Sequence, residues 1–159
     1  PMRTHPDIGG HPRHASYDAH EHAHDVFARP LPAPPETAQE IRFGPDGLTL
    51  LRTGVRFIGE GARLPSEVVE DLVLAVHELA CNSIEHAGGR GVLRAWTMPE
   101  SLVIEVADDG CIDDPLVGRE PALDVSEGGR GIWMANHLCD LVQVRSSARG
   151  TTVRLHTWT

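Results

Sequence analysis

The sequence predicts an α/β protein of the α+β two-layer kind, with a mixed, mostly antiparallel sheet and helices on one face. Three observations predict it. The segments run strand, helix, helix, strand, strand, loop, helix, strand, strand. Twice a strand follows another with no helix between, where a parallel neighbour would need a crossover. The helical segments carry an apolar stripe, which fits helices packed against one face of such a sheet.

Regular structure is expected from Ile41, where Ile41-Arg42-Phe43 alternates as a short strand before the turn Gly44–Gly47. Leu48, Leu51, Val55 and Ile58 then recur at helical spacing, and Gly59 and Gly61 stop that helix. Ser66 is the expected N-cap of a second helix, with Glu67, Glu70 and Asp71 near its positive end. Its stripe is Val69, Leu72, Val73, Val76, Leu79 and Ala80, and Gly88-Gly89 ends it after Ala87. Strands follow at 91–97 and 101–107, joined by Met98-Pro99-Glu100. A polar loop covers 108–129, a helix runs from about Ile132 to Cys139, and a hairpin of 141–146 and 151–157 turns at Ala148-Arg149-Gly150.

Residues 1–37 have a different composition, with six of the 10 histidines and seven of the 12 prolines. Pro30–Gln39 reads as extended, and 1–37 as a linker or arm ahead of a domain at 38–159. Pro1 ahead of Met2 reads as an expression scar. The run from Asp18 to Asp25 offers imidazoles and carboxylates, donors that suit Zn²⁺; a soluble His-rich linker is the simpler reading.

The chain has 159 residues, one domain's worth, with 40% hydrophobic and only 4% aromatic residues, so its core must be aliphatic. A formal charge of −9 argues against a nucleic-acid surface. Three unclustered cysteines, Cys81, Cys111 and Cys139, suggest neither a disulfide framework nor a zinc knuckle, and point to a reducing cytoplasm. No apolar run reaches the ~18 residues of a membrane span, and no signal peptide is visible.

Three polar clusters interrupt this frame. Glu78, Asn82 and His86 are spaced by four, along one helix face beside the apolar stripe. They offer a base, a neutral oxygen ligand and a donor, and Mg²⁺ prefers oxygens shared with substrate phosphates; a solvated helix face fits the same pattern. Asp108-Asp109-Gly110 ends a strand, where a carboxylate can face a ligand while glycine turns the backbone away; an ordinary turn also reads Asp-Gly. Gly128, Gly129 and Gly131 precede a helix, where backbone N–H groups can meet phosphates; a flexible loop end is the alternative.

In this order the clusters resemble the GHKL superfamily of ATPases, which includes histidine kinases, gyrase, Hsp90 and MutL. Glu78 to His86 resembles the N box, Asp108-Asp109-Gly110 the G1 box, Gly129-Arg130-Gly131 the G2 box, and Gly150-Thr151-Thr152 the Gly-Thr motif of the last strand. The resemblance spans Ile41 to the C-terminus and implies a Bergerat fold. The segment ELACNSIEHAGG is similar to anti-sigma-factor serine kinases. GGRGIWMANHLCDLVQVRSS and GTTVRLHTW resemble actinobacterial RsbA-type regulators, in which a sensory (MEDS) domain precedes the ATPase domain.

The resemblance implies ATP and Mg²⁺ as ligands. Asn82 would coordinate the metal, Glu78 would act as base, Asp108 would accept from the adenine amino group with Thr152 helping through water, and Gly110 would let the base approach. Residues 111–129 would form an ATP lid, and Gly129, Arg130 and Gly131 would meet the phosphates. His86 belongs to the N box, and no phospho-acceptor histidine motif accompanies it. Ile112 stands where a second G1 glycine is often found. The implied activity is serine/threonine phosphorylation of a STAS-type anti-anti-sigma partner by a homodimer that also holds a sigma factor. The alternatives are a nucleotide-binding anti-sigma switch without transfer and the catalytic domain of a sensor kinase. Cys81 adjoins Asn82 and Cys111 adjoins Gly110, so either thiol could line the pocket or simply fill space.

Overall fold

In the computed structural model, the described residues are 14–119 and 129–159, with side chains described from residue 21. The sheet has five strands: β1 (Gln39–Phe43), β2 (Gly91–Met98), β3 (Ser101–Asp108), β4 (Leu141–Ser147) and β5 (Gly150–Trp158). Their order is β1-β2-β3-β5-β4. The helices are α1 (His14–Ala28), α2 (Leu48–Gly61), α3 (Ser66–His86) and α4 (Gly129–Leu138), with a 3-10 turn at Pro45–Gly47.

Every neighbouring pair of strands is antiparallel. The expected α/β fold with a mostly antiparallel sheet is borne out, the described strands pairing antiparallel throughout. β4 runs in the same direction as β3 after the α4 crossover, but β5 folds back between them, so the two never pair.

Alternation along the strands sorts the two faces. Leu93, Ala95, Leu102, Ile104, Val106, Val153 and Leu155 meet Leu51, Val55, Val69, Leu72, Val76, Leu79, Ile132 and Ala135 from the helices in one core. Among the described residues, Phe43 gives that core its one aromatic ring. Small side chains let helices approach closely: a Cβ on Gly59 would lie 3.1 Å from Val69 Cγ2, where α2 crosses the start of α3.

Two helix starts differ from the sequence reading. Pro65, with φ −57° and ψ 146°, takes the N-cap position of α3 and makes no side-chain cap bond; Ser66 is the first helical residue. Proline's fixed φ sets the entry angle without a capping side chain. α4 begins at Gly129 rather than near Ile132, so Gly129 and Gly131 belong to its first turn.

The N-terminal segment departs most. Within the segment expected as a linker or arm, His14–Ala28 forms a helix, α1, ahead of the stretch from Pro30 that reads as extended. Alanines at 15, 19, 23 and 28 favour a helix despite the histidines. α1 packs against edge strand β4, and Phe27 near its end is buried. Residues 30–37 then run as an arm, and the Pro32 carbonyl accepts a 2.7 Å bond from Arg154 on the sheet face opposite the helices. On that face Glu105, 4% exposed, receives Arg154 at 2.6 Å, and the Arg154 guanidinium lies 5.0 Å from the centre of the Trp96 ring. Among the described residues, no group of three potential metal ligands forms; of the run Asp18–Asp25, the side chains of Asp18 and His20 lie outside the described ones, as does the Pro1-Met2 start.

Candidate functional site

A cleft of about 1010 Å³ opens between α3, the end of β3, the loop after it, and the N-terminus of α4. Its size and its mixture of apolar walls with few polar groups suit a nucleotide-sized ligand. Leu79, Val106, Ile132 and Val153 give the apolar walls, and Asn82, Ser83, Asp108 and Thr151 the polar groups.

Asp108 is held from two sides. Its Oδ1 accepts the Gly110 N–H at 2.9 Å, and its Oδ2 accepts the Ser83 hydroxyl at 2.6 Å. Ser83 is 1% exposed and sits one position past Asn82 on α3. The carboxylate is therefore fixed at the cleft wall by a backbone amide and a buried hydroxyl, a charge-assisted pair of bonds.

A second chain of bonds ties the loop to the hairpin. The Ile112 N–H donates to Ser146 Oγ at 2.8 Å, Ser146 and Thr151 hydroxyls share a 2.7 Å bond, and the Thr151 hydroxyl donates to the Gly110 carbonyl at 2.9 Å. Ile112 thus spends its amide on the hairpin and packs its side chain against the core. Glycine is required nearby instead. Gly150 has φ 132°, and a Cβ there would collide with the Asp108 carbonyl. At Gly110 a Cβ would lie 2.7 Å from Ala87 Cβ, so side chains are excluded between the loop and the end of α3.

Of the residues proposed from sequence, Asn82, His86, Asp108, Gly110 and Gly129 line this cleft. Glu78 lies one turn before Asn82, half-buried, and is not part of the lining. Thr152 is corrected: it pairs with Ala107 and faces away from the helices, whereas Thr151 pairs with Asp108 and reaches the site. A one-residue shift along a strand reverses the face. Arg130 is exposed and outside the lining. Gly131 is turned toward α3: a Cβ there would lie 2.6 Å from Asn82 Nδ2 and 3.3 Å from the Glu78 carbonyl oxygen. Its absent side chain makes room for the Asn82 amide.

Ser83 and Thr151 were not singled out in the sequence. The signal for Ser83 was its position directly after Asn82 on a helix whose apolar stripe it interrupts. The signal for Thr151 was a choice between two adjacent threonines that only the strand register decides.

Donor chemistry at the α3 end fits Mg²⁺. An amide oxygen on Asn82 and a carboxylate on Glu78 are hard ligands one turn apart, and the glycine at 131 leaves the Asn82 side chain its space. The α4 N-terminus adds backbone N–H groups without helical partners. Residues 120–128, the later part of the expected lid with Pro121, lie outside the described residues. The described part reaches Gly118, whose φ of 77° lets it lie against Ile132 and whose carbonyl accepts from Asn136 at 3.2 Å.

The thiols differ sharply. Cys111 is exposed and lines the cleft. Cys81 is outside the lining, 3.6 Å from His77 Nε2, and burial followed by the charges of Glu78 and Glu85 raises its pKa. Burial, then Asp140 and Asp71, pushes Cys139 up to about 12.

Comparison with known proteins agrees with this geometry. The sequence profile of the histidine kinase-like ATPase domain matches residues 41–157. The serine-protein kinase RsbW of Bacillus subtilis is 28% identical over 145 residues, covering 82% of this chain and 84% of that protein. The serine-protein kinase RsbW of Halalkalibacterium halodurans is 30% identical over 92 residues; the match spans 50% of this chain and 57% of its relative. Among solved structures, the RsbU and RsbW domains of Rv1364c from Mycobacterium tuberculosis superpose with a TM-score of 0.55 at 18% identity, covering 80% of this chain and 33% of that one. The expected resemblance to anti-sigma-factor kinases is therefore borne out, and the chain belongs to the histidine kinase-like ATPase domain family.

Proposed function

We propose that the cleft binds ATP with Mg²⁺ and that the chain phosphorylates a serine or threonine of an anti-anti-sigma partner, while also holding a sigma factor, in the cytoplasm. The observation that carries the nucleotide reading is Asp108, fixed by Ser83 and Gly110 at the wall of an apolar cleft. Its carboxylate can accept from the amino group of adenine, and Leu79, Val106 and Ile132 can cover the ring faces. Asn82 would hold the Mg²⁺, which neutralises phosphate charge when bound. Gly129 and the first turn of α4 would meet the phosphates. Thr151 replaces Thr152 as the threonine beside the base.

In the transfer step, the hydroxyl oxygen of the partner bonds to the γ-phosphorus as the bond from that phosphorus to the β–γ bridging oxygen breaks. The hydroxyl proton passes to Glu78, and ADP leaves. The kinase reading also draws on similarity to the two serine-protein kinases.

A homodimer forms part of this proposal. Leu50 and Phe57 are 69% and 74% exposed and seven residues apart on α2, a repeat that places them on one side of the helix. Paired copies would cover them.

One observation favours the switch reading instead: Glu78 stands outside the described lining of the cleft. A binding module needs no base. Incubating the chain with labelled ATP and candidate STAS-type partners separates the two. Label on a partner serine or threonine is the expected result. A partner that binds in a nucleotide-dependent way and stays unlabelled refutes the kinase.

A further inference from the structure

The sheet face turned away from the helices carries a row that crosses all five strands. Arg42 on β1 pairs with Val92 on β2, Val92 with Ala107 on β3, Ala107 with Thr152 on β5, and Thr152 with Arg145 on β4. The middle of the row is small and the two rims are arginine. Beyond one end of the strands stand Arg90, ahead of β2, Asp109 after β3, and Arg149 in the β4–β5 turn. Ala28 and Pro30 border the same space. Together they enclose a groove of about 1130 Å³, distinct from the nucleotide cleft and separated from it by the end of β3.

Five arginines line this groove: Arg42, Arg90, Arg94, Arg145 and Arg149. The whole chain has 14 basic residues, every one an arginine, and a net charge of −9. Convergence of five in one place runs against the charge of the molecule. Three of them are balanced. Glu40 lies 3.1 Å from both Arg42 and Arg94, Glu105 lies 3.5 Å from Arg94, and Asp109 lies 4.0 Å from Arg90. Arg145 bonds the carbonyl of Val144 at 2.9 Å, and neither Arg145 nor Arg149 has a carboxylate within ion-pair distance among the described residues.

We propose that this groove binds an acidic peptide segment of a protein partner, laid extended across the strands. Guanidinium groups form paired, planar hydrogen bonds with carboxylates, which an ammonium cannot match. Neighbouring strands are about 4.8 Å apart, so the row from β1 to β4 spans about 19 Å, the length of roughly six extended residues. Carboxylates near the ends of such a segment meet Arg42 on one rim and Arg145 with Arg149 on the other, while Val92, Ala107 and Thr152 leave room for its backbone. A long nucleic acid is disfavoured, because its uniform negative charge meets the net −9 of the rest of the molecule. A short segment needs only the local match.

The test uses the full chain and a fluorescein-labelled hexapeptide of alternating Asp and Glu, followed by anisotropy at about 50 mM salt, where screening is weak. The probes for comparison are the Asn/Gln hexapeptide and a six-nucleotide oligothymidine. Binding of the acidic peptide alone is expected. Exposed ion pairs contribute a few-fold each, so Arg145→Gln with Arg149→Gln should weaken it about tenfold. Arg42→Gln on the opposite rim should weaken it further, with melting temperature and Mg-ADP affinity unchanged. Equal binding of the neutral peptide, tighter binding of the oligonucleotide, or no loss in the double variant overturns the proposal. No effect of Arg42→Gln overturns the transverse placement. Mg-ADP affinity is measured on the same samples, so failure here is distinguishable from failure of the nucleotide reading.

Discussion

Replacing Ser83 by alanine tests whether the buried hydroxyl sets the nucleotide site. The hydroxyl is 1% exposed and donates to Asp108 Oδ2 at 2.6 Å. A hydrogen bond to a charged group contributes about 1.5–3 kcal/mol. Alanine in place of serine recovers about 0.5 kcal/mol of helix propensity. The Leu79 carbonyl, the other contact at 3.2 Å, retains its helical partner and adds little. A net loss of about 2 kcal/mol follows, which for a domain of this size lowers the melting temperature by about 4–8 °C. Asp108 keeps the Gly110 amide on Oδ1, so it is only half released. Its aim toward adenine should weaken by less than the full bond, raising the Kd for Mg-ADP about tenfold. Calorimetric titration with Mg-ADP and thermal melting without ligand read the two effects separately. A lower melting point with unchanged Kd would make Ser83 a fold element only. Wild-type melting and wild-type Kd together would refute the hydrogen-bond argument itself.

Further predictions address the rest of the molecule. Thr151→Val should weaken Mg-ADP binding and Thr152→Val should not, because only the first side chain reaches the Gly110 carbonyl; reversed results in titration would contradict the register. Asn82→Ala should weaken Mg-ATP binding itself, whereas Glu78→Ala should keep affinity and slow transfer to a partner by about 10²–10⁴; transfer at the wild-type rate would show that another group is the base. With a thiol reagent at pH 8, Cys111 should react first and be protected by Mg-ADP, while Cys139, with its pKa near 12, should stay unmodified in the native state. A chain starting at Thr37 should still bind Mg-ADP, since the arm lies on the far face, but should melt lower, losing the burial of Phe27, about 1.5–3 kcal/mol, and the Arg154–Pro32 bond. The pKa of His156 is held below 6.5 by burial and then by Arg154. The folded state therefore resists its protonation, and stability from this group is present above pH 6.5 and lost as pH falls through the depressed value. His156→Gln should flatten that part of a stability–pH curve; an unchanged slope would assign it elsewhere.

Periodicity alone determined the order of elements from Ile41 onward, because apolar spacing of two or of three to four reports which side of a strand or helix meets the core. Polar clusters at fixed offsets likewise marked Asn82, Asp108 and Gly129, which line one cleft. Local sequence did not carry what depends on distant partners. α1 forms where histidines and prolines suggested a linker, because Phe27 finds cover beside β4. Thr151 rather than Thr152 faces the site because β5 pairs with β3 in one register and not the next. Ser83 has its role only because a strand 25 residues later ends at its hydroxyl. The need for a glycine at 131 also comes from the close approach of α4 to Asn82, a distance set by packing. The arginines of the far groove are scattered from 42 to 149, and only sheet order brings them together. Pairing between strands is a long-range choice decided by the burial of whole faces, and no short window of the chain contains it.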